Sequence, residues 1–441
     1  MKIVYLTAGA AGMYCGSCMH DNSLAKAMRA LGDDVLLQPV YTPIRTDEVD
    51  IASERIFLGG IQVYLLQQFP QLRWVPRFMR SWLDRPGIIS AATRRAVGTD
   101  PAKLGDLTLS MLRGSHGRQA GEVERLVQWL ETEIHPDAII FSNLLIGGMI
   151  PVIAKRLPNT KVVVVLQGDD LFLEQLPDDV RAEAVELCKG LAADVDTFVT
   201  HSQFYRDKMS VLFDVPESKF DVHPLSIDLK PFREQAAEIE TPPTKPVATI
   251  HAKKPGEFRV GFFARIAPEK GLHVLADAFE RLATDAAHSH ITLHAAGWLG
   301  EHNQSYLDQI TSSLKAAGLL DRFHYHGSPS LEEKVSLMRT FDLLSVPAPY
   351  EDPKGLFLLE AMASGVPVLQ PAHGAFVELV EATQGGDCFP PHDVDALSKA
   401  IVELSRDAER LNRYRSMSQA MLEQNHSIEA AAMQMRSTCS S

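Results

Sequence analysis

The feature that most constrains this chain is a strand–helix alternation that runs through the sequence twice. "KIVYLT" reads as a strand. A Gly-rich turn follows, then "DNSLAKAMRALG", a helix with apolar residues at helical spacing and a closing Gly. "DVLLQPVY", "DAIIFSN", "KVVVVLQG", "TFVTHS" and "FDVHPLSI" continue as short apolar strands, with helices such as "EVERLVQWLETEI" and "VRAEAVELCKGLA" between them. Apolar strands separated by amphipathic helices are the pattern of β-α-β units and parallel sheets. "EIETPPTKPVATIHAKKPGE", Glu238 to Glu257, breaks the pattern, being Pro-rich, polar and without sustained periodicity. The alternation then restarts at "FRVGFFARI" and runs to "VPVLQP". The two halves share one architecture, with no short-period repeat.

Two α/β domains are therefore expected: residues 1–235, with an insertion at about 43–125; a linker at 236–257; a second domain at 258–410; and helices at 411–441 that cross back onto the first domain. Such a pair places a cleft between the carboxyl ends of two parallel sheets, where these folds bind ligands.

Composition narrows the function classes. The 441 residues are 45% apolar and 22% charged, too apolar for disorder, and the net charge of −13 argues against a nucleic-acid partner. No apolar run reaches the ~18 residues of a membrane span. "MKIVYLT" lacks the long apolar core of a signal peptide, and the five cysteines are odd in number and scattered. A cytoplasmic location is the expectation.

Two stretches of the second half suggest chemistry. In "GFFARIAPEKGLHVL", Arg265 and Lys270 flank a strand-to-helix turn that ends at Gly271. Two cations beside free helix-start N–H groups suit a diphosphate, since Arg forks across two oxygens and Lys acts as a point charge. Such residues also occur as ordinary solvated surface. In "SVPAPYEDPKGLFLLEAMASGVPV", Asp352 precedes Gly355 in a loop, and Glu360 follows in the helix. A loop and a helix that both line a pocket can bring such a pair to ribose and sugar hydroxyls while the helix start receives phosphate. The alternative is acid placed to suit the helix dipole.

Taken together, the two stretches resemble the retaining, nucleotide-sugar-dependent glycosyltransferases of family 4, which have the GT-B fold: two Rossmann-like doubly wound domains facing across a cleft. "ARIAPEKG" is similar to the family's diphosphate-binding turn. "YHGSPSLEEKVSLMRTFDLLSVPAPYEDPKGLFLLEAMASGVPVLQP" is similar to its donor-site core, with an E-x7-E motif and a Pro-Val strand. The likeness covers nearly all of residues 258–405. It is looser in the first domain, at "GAAGMYCGSCMHDNSLAKAMRALGDDV" and "FDVHPLSID".

The resemblance implies that Arg265 and Lys270 hold the donor diphosphate, that Glu360 takes the ribose hydroxyls, and that Asp352 faces the transferred sugar. It also implies that Gly355 and Leu356 offer backbone to the phosphates, that His326 and Gly327 lie beside the base, and that Gly16 faces the cleft. The sequence departs from the family twice. Asp352 replaces the motif's first Glu, with Glu351 beside it, and Gln167 stands where many members carry His, followed by Asp169 and Asp170. Gln cannot act as a base, so it would orient an acceptor or sugar hydroxyl.

Two further features are left with alternatives. "MYCGSCMHDN" places Cys15 and Cys18 in a C-x-x-C, which reads either as redox or metal chemistry or as small packing residues beside Gly12 and Gly16. "QQFPQLRWVPRFMRSWLDRP", Gln67 to Pro86, interleaves arginines with Trp74 and Trp82. It reads first as an added subdomain with its arginines outward; of the two functional readings, the family's use of its first domain for the acceptor favours capture of a bulky acceptor over peripheral membrane contact.

The expectation is a metal-independent hexosyltransferase without a cofactor. It would take a UDP- or GDP-hexose as co-substrate and a glycan, lipid or small-molecule acceptor. The rival is a non-catalytic sugar-nucleotide-binding protein on the same fold, with a phosphorylase or epimerase as a lesser alternative.

Overall fold

A computed structural model describes residues 1–9, 16–42, 44, 50–53, 101–233 and 253–441. Gly12, Cys15, the stretch from Gln67 to Pro86 with Trp74 and Trp82, and most of the Pro-rich linker lie outside the described residues. The chain divides into two compact units, Met1–Pro224 with Ile428–Ser441, and Leu225–Ser427.

The first unit is built on a six-stranded parallel sheet of β1 (Lys2–Thr7), β2 (Asp34–Pro39), β3 (Ala138–Phe141), β4 (Lys161–Val165), β5 (Thr197–Thr200) and β6 (Phe220–Val222), in the order β2-β1-β3-β4-β5-β6. The strands read as apolar runs because helices cover both faces, and Ile3, Val4, Tyr5 and Leu6 are all fully buried. β1 comes first in the chain, yet β2 and β3 lie on opposite sides of it. The crevice between the β1 and β3 carboxyl ends is thus the point where strand order reverses, the usual ligand position in an open α/β sheet.

The second unit repeats the plan with β7 (Phe258–Phe263), β8 (Ile291–Ala296), β9 (Phe323–Tyr325), β10 (Leu343–Leu344), β11 (Val368–Pro371) and β12 (Gly386–Phe389), in the order β12-β11-β10-β7-β8-β9, again all parallel. Here the order reverses between β7 and β10. That brings together the turn after β7 and the loop after β10, which are separated by some eighty residues of sequence.

The two terminal helices go to different units. Ala408–Asn425 buries Leu411, Tyr414 and Leu422 in the core of the second unit. Where the chain enters and leaves that unit, the Ile227 N–H donates to the His426 carbonyl at 3.0 Å. Ile428–Ser440 belongs to the first unit, where Ile428, Ala432, Met435 and Cys439 pack with Ile3, Tyr5 and Val163. The Thr438 hydroxyl donates to Asp221 at 2.6 Å, and Arg436 approaches Asp33 at 3.4 Å. None of the described helices is long and apolar enough to cross a membrane.

The last helix offers a test of this packing. Met435 is 1% exposed and Met433 is 56% exposed. Met435→Ala is expected to cost about 2–5 kcal/mol of unfolding free energy in denaturant titration, while Met433→Ala stays within about 0.5 kcal/mol of wild type. Equal effects would contradict the docking of this helix.

Candidate active site

In the second unit the polar groups gather where the strand order reverses. The chain leaves β7 and makes a single turn, Pro268–Lys270, before Gly271 opens the helix Leu272–Leu282. Gly271 has φ +77°, and a Cβ there would lie 2.0 Å from the Pro347 carbonyl oxygen. Only glycine lets this turn settle against the segment that follows β10. Lys270 is thereby carried to the loop containing Asp352.

Asp352 is 5% exposed, and donors surround its carboxylate. One oxygen accepts from the Lys354 N–H at 3.0 Å and the Gly355 N–H at 3.2 Å. The other accepts from Lys270 Nζ at 2.8 Å and from the Tyr350 hydroxyl at 2.8 Å, and Lys270 also donates to the Tyr350 oxygen. These bonds use the roughly four acceptor directions of a carboxylate. Burial pushes the Asp352 carboxyl up, but the Lys270 ammonium and the hydrogen bonds from Lys270, Lys354 and Tyr350 outweigh it and hold the carboxyl down at about 2. The Tyr350 phenol moves the other way, raised first by burial and then by Asp352, with Arg265 opposing. Arg265 is 41% exposed at its side chain and lies 3.2 Å from Glu269, four positions on in the same turn.

Gly355, at φ +82°, starts the helix Leu356–Ala363, which carries Glu360. A Cβ at Gly355 would meet Leu358 at 2.8 Å and the Phe376 ring at 3.0 Å. Glu360 Oε1 accepts from Lys334 Nζ at 2.9 Å. On the far side of β7, the His326 N–H donates to the Ala295 carbonyl, and the Gly327 carbonyl accepts from the Gly297 N–H at 2.8 Å. The His326 ring shares a 3.0 Å hydrogen bond with His294, and a polar chain continues through Thr292 and Glu257 to the buried Arg259. Burial, then the Arg259 charge and the neighbouring His324 and His326 rings, keep His294 neutral at ordinary pH.

The first unit has a cavity of about 420 Å³ at the carboxyl ends of β1, β3 and β4. Leu107, Met111, Leu145, Ile146 and Phe172 give it apolar walls, while Thr7, Asp21, Ser142, Gln167 and Asp169 supply polar groups. Asp21 is fully buried. It accepts from the Tyr5 hydroxyl at 2.7 Å, the Thr7 hydroxyl at 3.0 Å and Gln167 Nε2 at 3.0 Å. Asp169 accepts from the Leu144 N–H at 2.7 Å and the Gln167 N–H at 3.1 Å, yet burial still raises its carboxyl to about 6. Asp170 is tied instead to the Tyr205 hydroxyl at 2.7 Å and to Lys208 at 2.8 Å, and it does not line the cavity.

The structure thus brings Lys270, Asp352, Gly355 and Glu360 to one switch point, with Arg265 in the turn after β7, and brings Gln167 and Asp169 to another. Gly16 is exposed at the start of the first helix, and the Thr7 hydroxyl and Cys18 sulfur lie 3.9 Å apart in the buried interior. Among the described residues no group of three or more His, Cys, Asp and Glu side chains is arranged to hold a metal ion. Sequence reasoning missed Asp21, Lys334 and Tyr350. Asp21 left a signal: it lies three and four positions before Leu24 and Ala25, on the core-facing side of an amphipathic helix. A carboxylate there needs buried partners.

Residues 247–421 match the family model described as glycosyl transferases group 1. A mannosylfructose-phosphate synthase of Agrobacterium fabrum is 31% identical over 140 residues, 32% of this chain and 31% of that protein. A D-inositol 3-phosphate glycosyltransferase of Nocardia farcinica is 28% identical over 59% of this chain and 54% of its own length. The chain therefore spans from about a third to about half of these relatives. The crystal structure of Anabaena Alr3699/HepE in complex with UDP superposes with a TM-score of 0.68 at 18% identity, covering 100% of both chains.

The charge cluster around Asp352 carries a pH signature. Its folded pKa of about 2 lies below the unfolded value, so its stabilisation is complete above about pH 4 and is lost as pH falls through about 2. Asp352→Asn is expected to cost about 2 kcal/mol at neutral pH in urea unfolding, with the gap to wild type closing between about pH 4 and pH 2. A gap that stays constant across that window would assign the loss to packing instead.

Proposed function

We propose that this chain, which has the GT-B fold and whose residues 247–421 match the glycosyl transferases group 1 model, is a metal-independent, retaining glycosyltransferase. It moves a hexosyl group from a nucleoside-diphosphate sugar, such as a UDP- or GDP-hexose, to an acceptor hydroxyl. The observation that carries this reading is the convergence of Arg265, Lys270, Asp352 and Glu360 where β7 and β10 meet.

Breaking the glycosyl–phosphate bond develops negative charge on the diphosphate. Lys270, held in place before the reaction, meets that charge with the N–H not spent on Asp352 or Tyr350, and Arg265 adds a second cation. The Gly355 and Leu356 backbone receives phosphate at the helix start, Glu360 accepts from the ribose, and His326 and Gly327 border the base. Retention without an evident nucleophile would follow from attack on the same face, assisted by the departing phosphate, as proposed for the family this chain resembles. Since four donors already occupy Asp352, direct contact with the sugar requires a sugar hydroxyl to displace one of them. The neutral Tyr350 hydroxyl is the weakest of the side-chain donors.

For the acceptor we propose the cavity of the first unit, with Gln167 and Asp21 orienting a hydroxyl. Its described lining has two carboxylates and no cation, which favours an uncharged glycan, lipid or small molecule over a phosphorylated one. The occupancy of Asp352 also favours a second reading, a protein that binds the sugar nucleotide without reacting. That protein would show neither transfer nor slow donor hydrolysis.

A thermal-shift screen of nucleoside diphosphates and their sugars tests the donor reading. A true ligand at 100 times its Kd stabilises by about 2.7 kcal/mol. With the donor in hand, Arg265→Ala and Lys270→Ala are each expected to cut turnover by about 100-fold or more, and activity is expected to survive EDTA. Activity lost on chelation and restored by manganese would overturn the metal-independent mechanism.

A further inference from the structure

Lys334 has a place that the chemistry above leaves unexplained. It sits on the helix Leu331–Met338, which a capping box fixes at its start: the Ser330 side chain accepts from the Glu333 N–H, and Glu333 accepts from the Ser330 N–H at 2.9 Å. Its neighbours Val335, Leu337 and Met338 are core residues, and Lys334 itself is only 5% exposed. Lysine is rarely buried to this degree without a partner that repays its desolvation. The partner here is Glu360, at 2.9 Å, and the ammonium also lies 6.0 Å from the centre of the Phe263 ring at the end of β7. Both carboxylates of the Asp352–Glu360 motif are therefore paired with a lysine from a different element, Asp352 with Lys270 and Glu360 with Lys334.

We infer that Lys334 is a positioning residue for ribose recognition: clamped to Glu360, it fixes the orientation of the carboxylate that takes the ribose hydroxyls. This rests on the donor-site reading of Glu360. A carboxylate has about four acceptor directions, and the bond to Lys334 uses one, at Oε1. That bond restrains the rotation of the carboxylate, so that a vicinal diol donating to it meets a fixed orientation. With a neutral side chain at 334, the largely buried carboxylate loses this ion pair and gains rotamer freedom. Each change weakens its grip on hydroxyls and leaves the diphosphate contacts of Arg265 and Lys270 in place. The consequence is specific: Lys334 sets how strongly the protein prefers a ribonucleotide to its deoxy counterpart.

The test is calorimetric titration of the full chain with UDP, GDP and their 2′-deoxy counterparts, carrying forward the tighter-binding base. Lys334→Met is expected to weaken the ribonucleotide by about tenfold or more and the deoxynucleotide by less than about threefold, so that discrimination collapses. Lys334→Arg, which keeps the charge, is expected to restore most of it. In a Glu360→Gln background, Lys334→Met is expected to add less than about twofold, because its effect passes through Glu360. Equal losses for ribo- and deoxynucleotide, or additive losses in the double variant, would overturn the inference while leaving the donor site intact. Should Met at 334 prevent folding, Lys334→Gln takes its place, and undiminished discrimination in that variant overturns the inference. If wild type binds neither UDP nor GDP, the donor-site reading itself fails, and this inference with it.

Discussion

The second unit is tied together by one largely enclosed ion pair, Lys270 with the buried Asp352. The pair joins the turn after β7 to the loop after β10, two segments that only the sheet order makes neighbours. Neutralising Asp352 would forfeit the roughly 2 kcal/mol that its lowered pKa represents, and truncating either side chain would remove the bond that joins the two segments. The surrounding structure is arranged to keep the pair. Gly271 allows the turn to touch the Pro347 carbonyl, the Asp352 carbonyl accepts from the Ala375 N–H at 2.9 Å, and Tyr350 closes a triangle with both charges. A cation held in this way needs little reorganisation when an anion arrives, which is the condition for effective electrostatic catalysis.

How much of this was legible in the sequence depends on whether the signal is local or long-range. The alternation of strands and helices is local, and so are the turn from Arg265 to Gly271 and the Gly355 helix start. The sequence carries each of them, and the structure has them at strand ends. Strand order is not local. Nothing in the spacing of Lys270 and Asp352 says that β10 pairs with β7, so the pairing that occupies Asp352 was invisible. Lys334 was hidden for a different reason: in "SLEEKVSLM" it reads as one more charge on a solvated helix face, and only its burial against Glu360 sets it apart. The arginine- and tryptophan-rich stretch from Gln67 to Pro86 lies outside the described residues, and its expected acceptor role stands as a proposal.

The first unit uses the same logic with different chemistry. Its switch point holds Asp21 among neutral donors, Tyr5, Thr7 and Gln167, where the second unit surrounds Asp352 with a lysine. Gln167 occupies a position where many proteins of the resembled family carry His, and here its amide is committed to Asp21 and to the Ser142 carbonyl at 3.1 Å. A neutral amide anchored at both contacts can orient a hydroxyl but cannot take its proton. The two units therefore divide the chemistry by charge. The second unit sets lysines against its buried acids, Lys270 against Asp352 and Lys334 against Glu360, whereas the first sets neutral hydroxyl and amide donors against Asp21.

The central claim is that the second unit recognises a diphosphate through Lys270. It is tested most directly by comparing the affinities of a nucleoside diphosphate and the corresponding monophosphate, UDP against UMP and GDP against GMP, in wild type and in Lys270→Met. The account predicts that wild type prefers one of the diphosphates by about a hundredfold or more, and that the preference falls to less than about tenfold in the variant while monophosphate affinity changes little. Equal affinity for mono- and diphosphates in wild type, or a preference that survives the loss of Lys270, would contradict it.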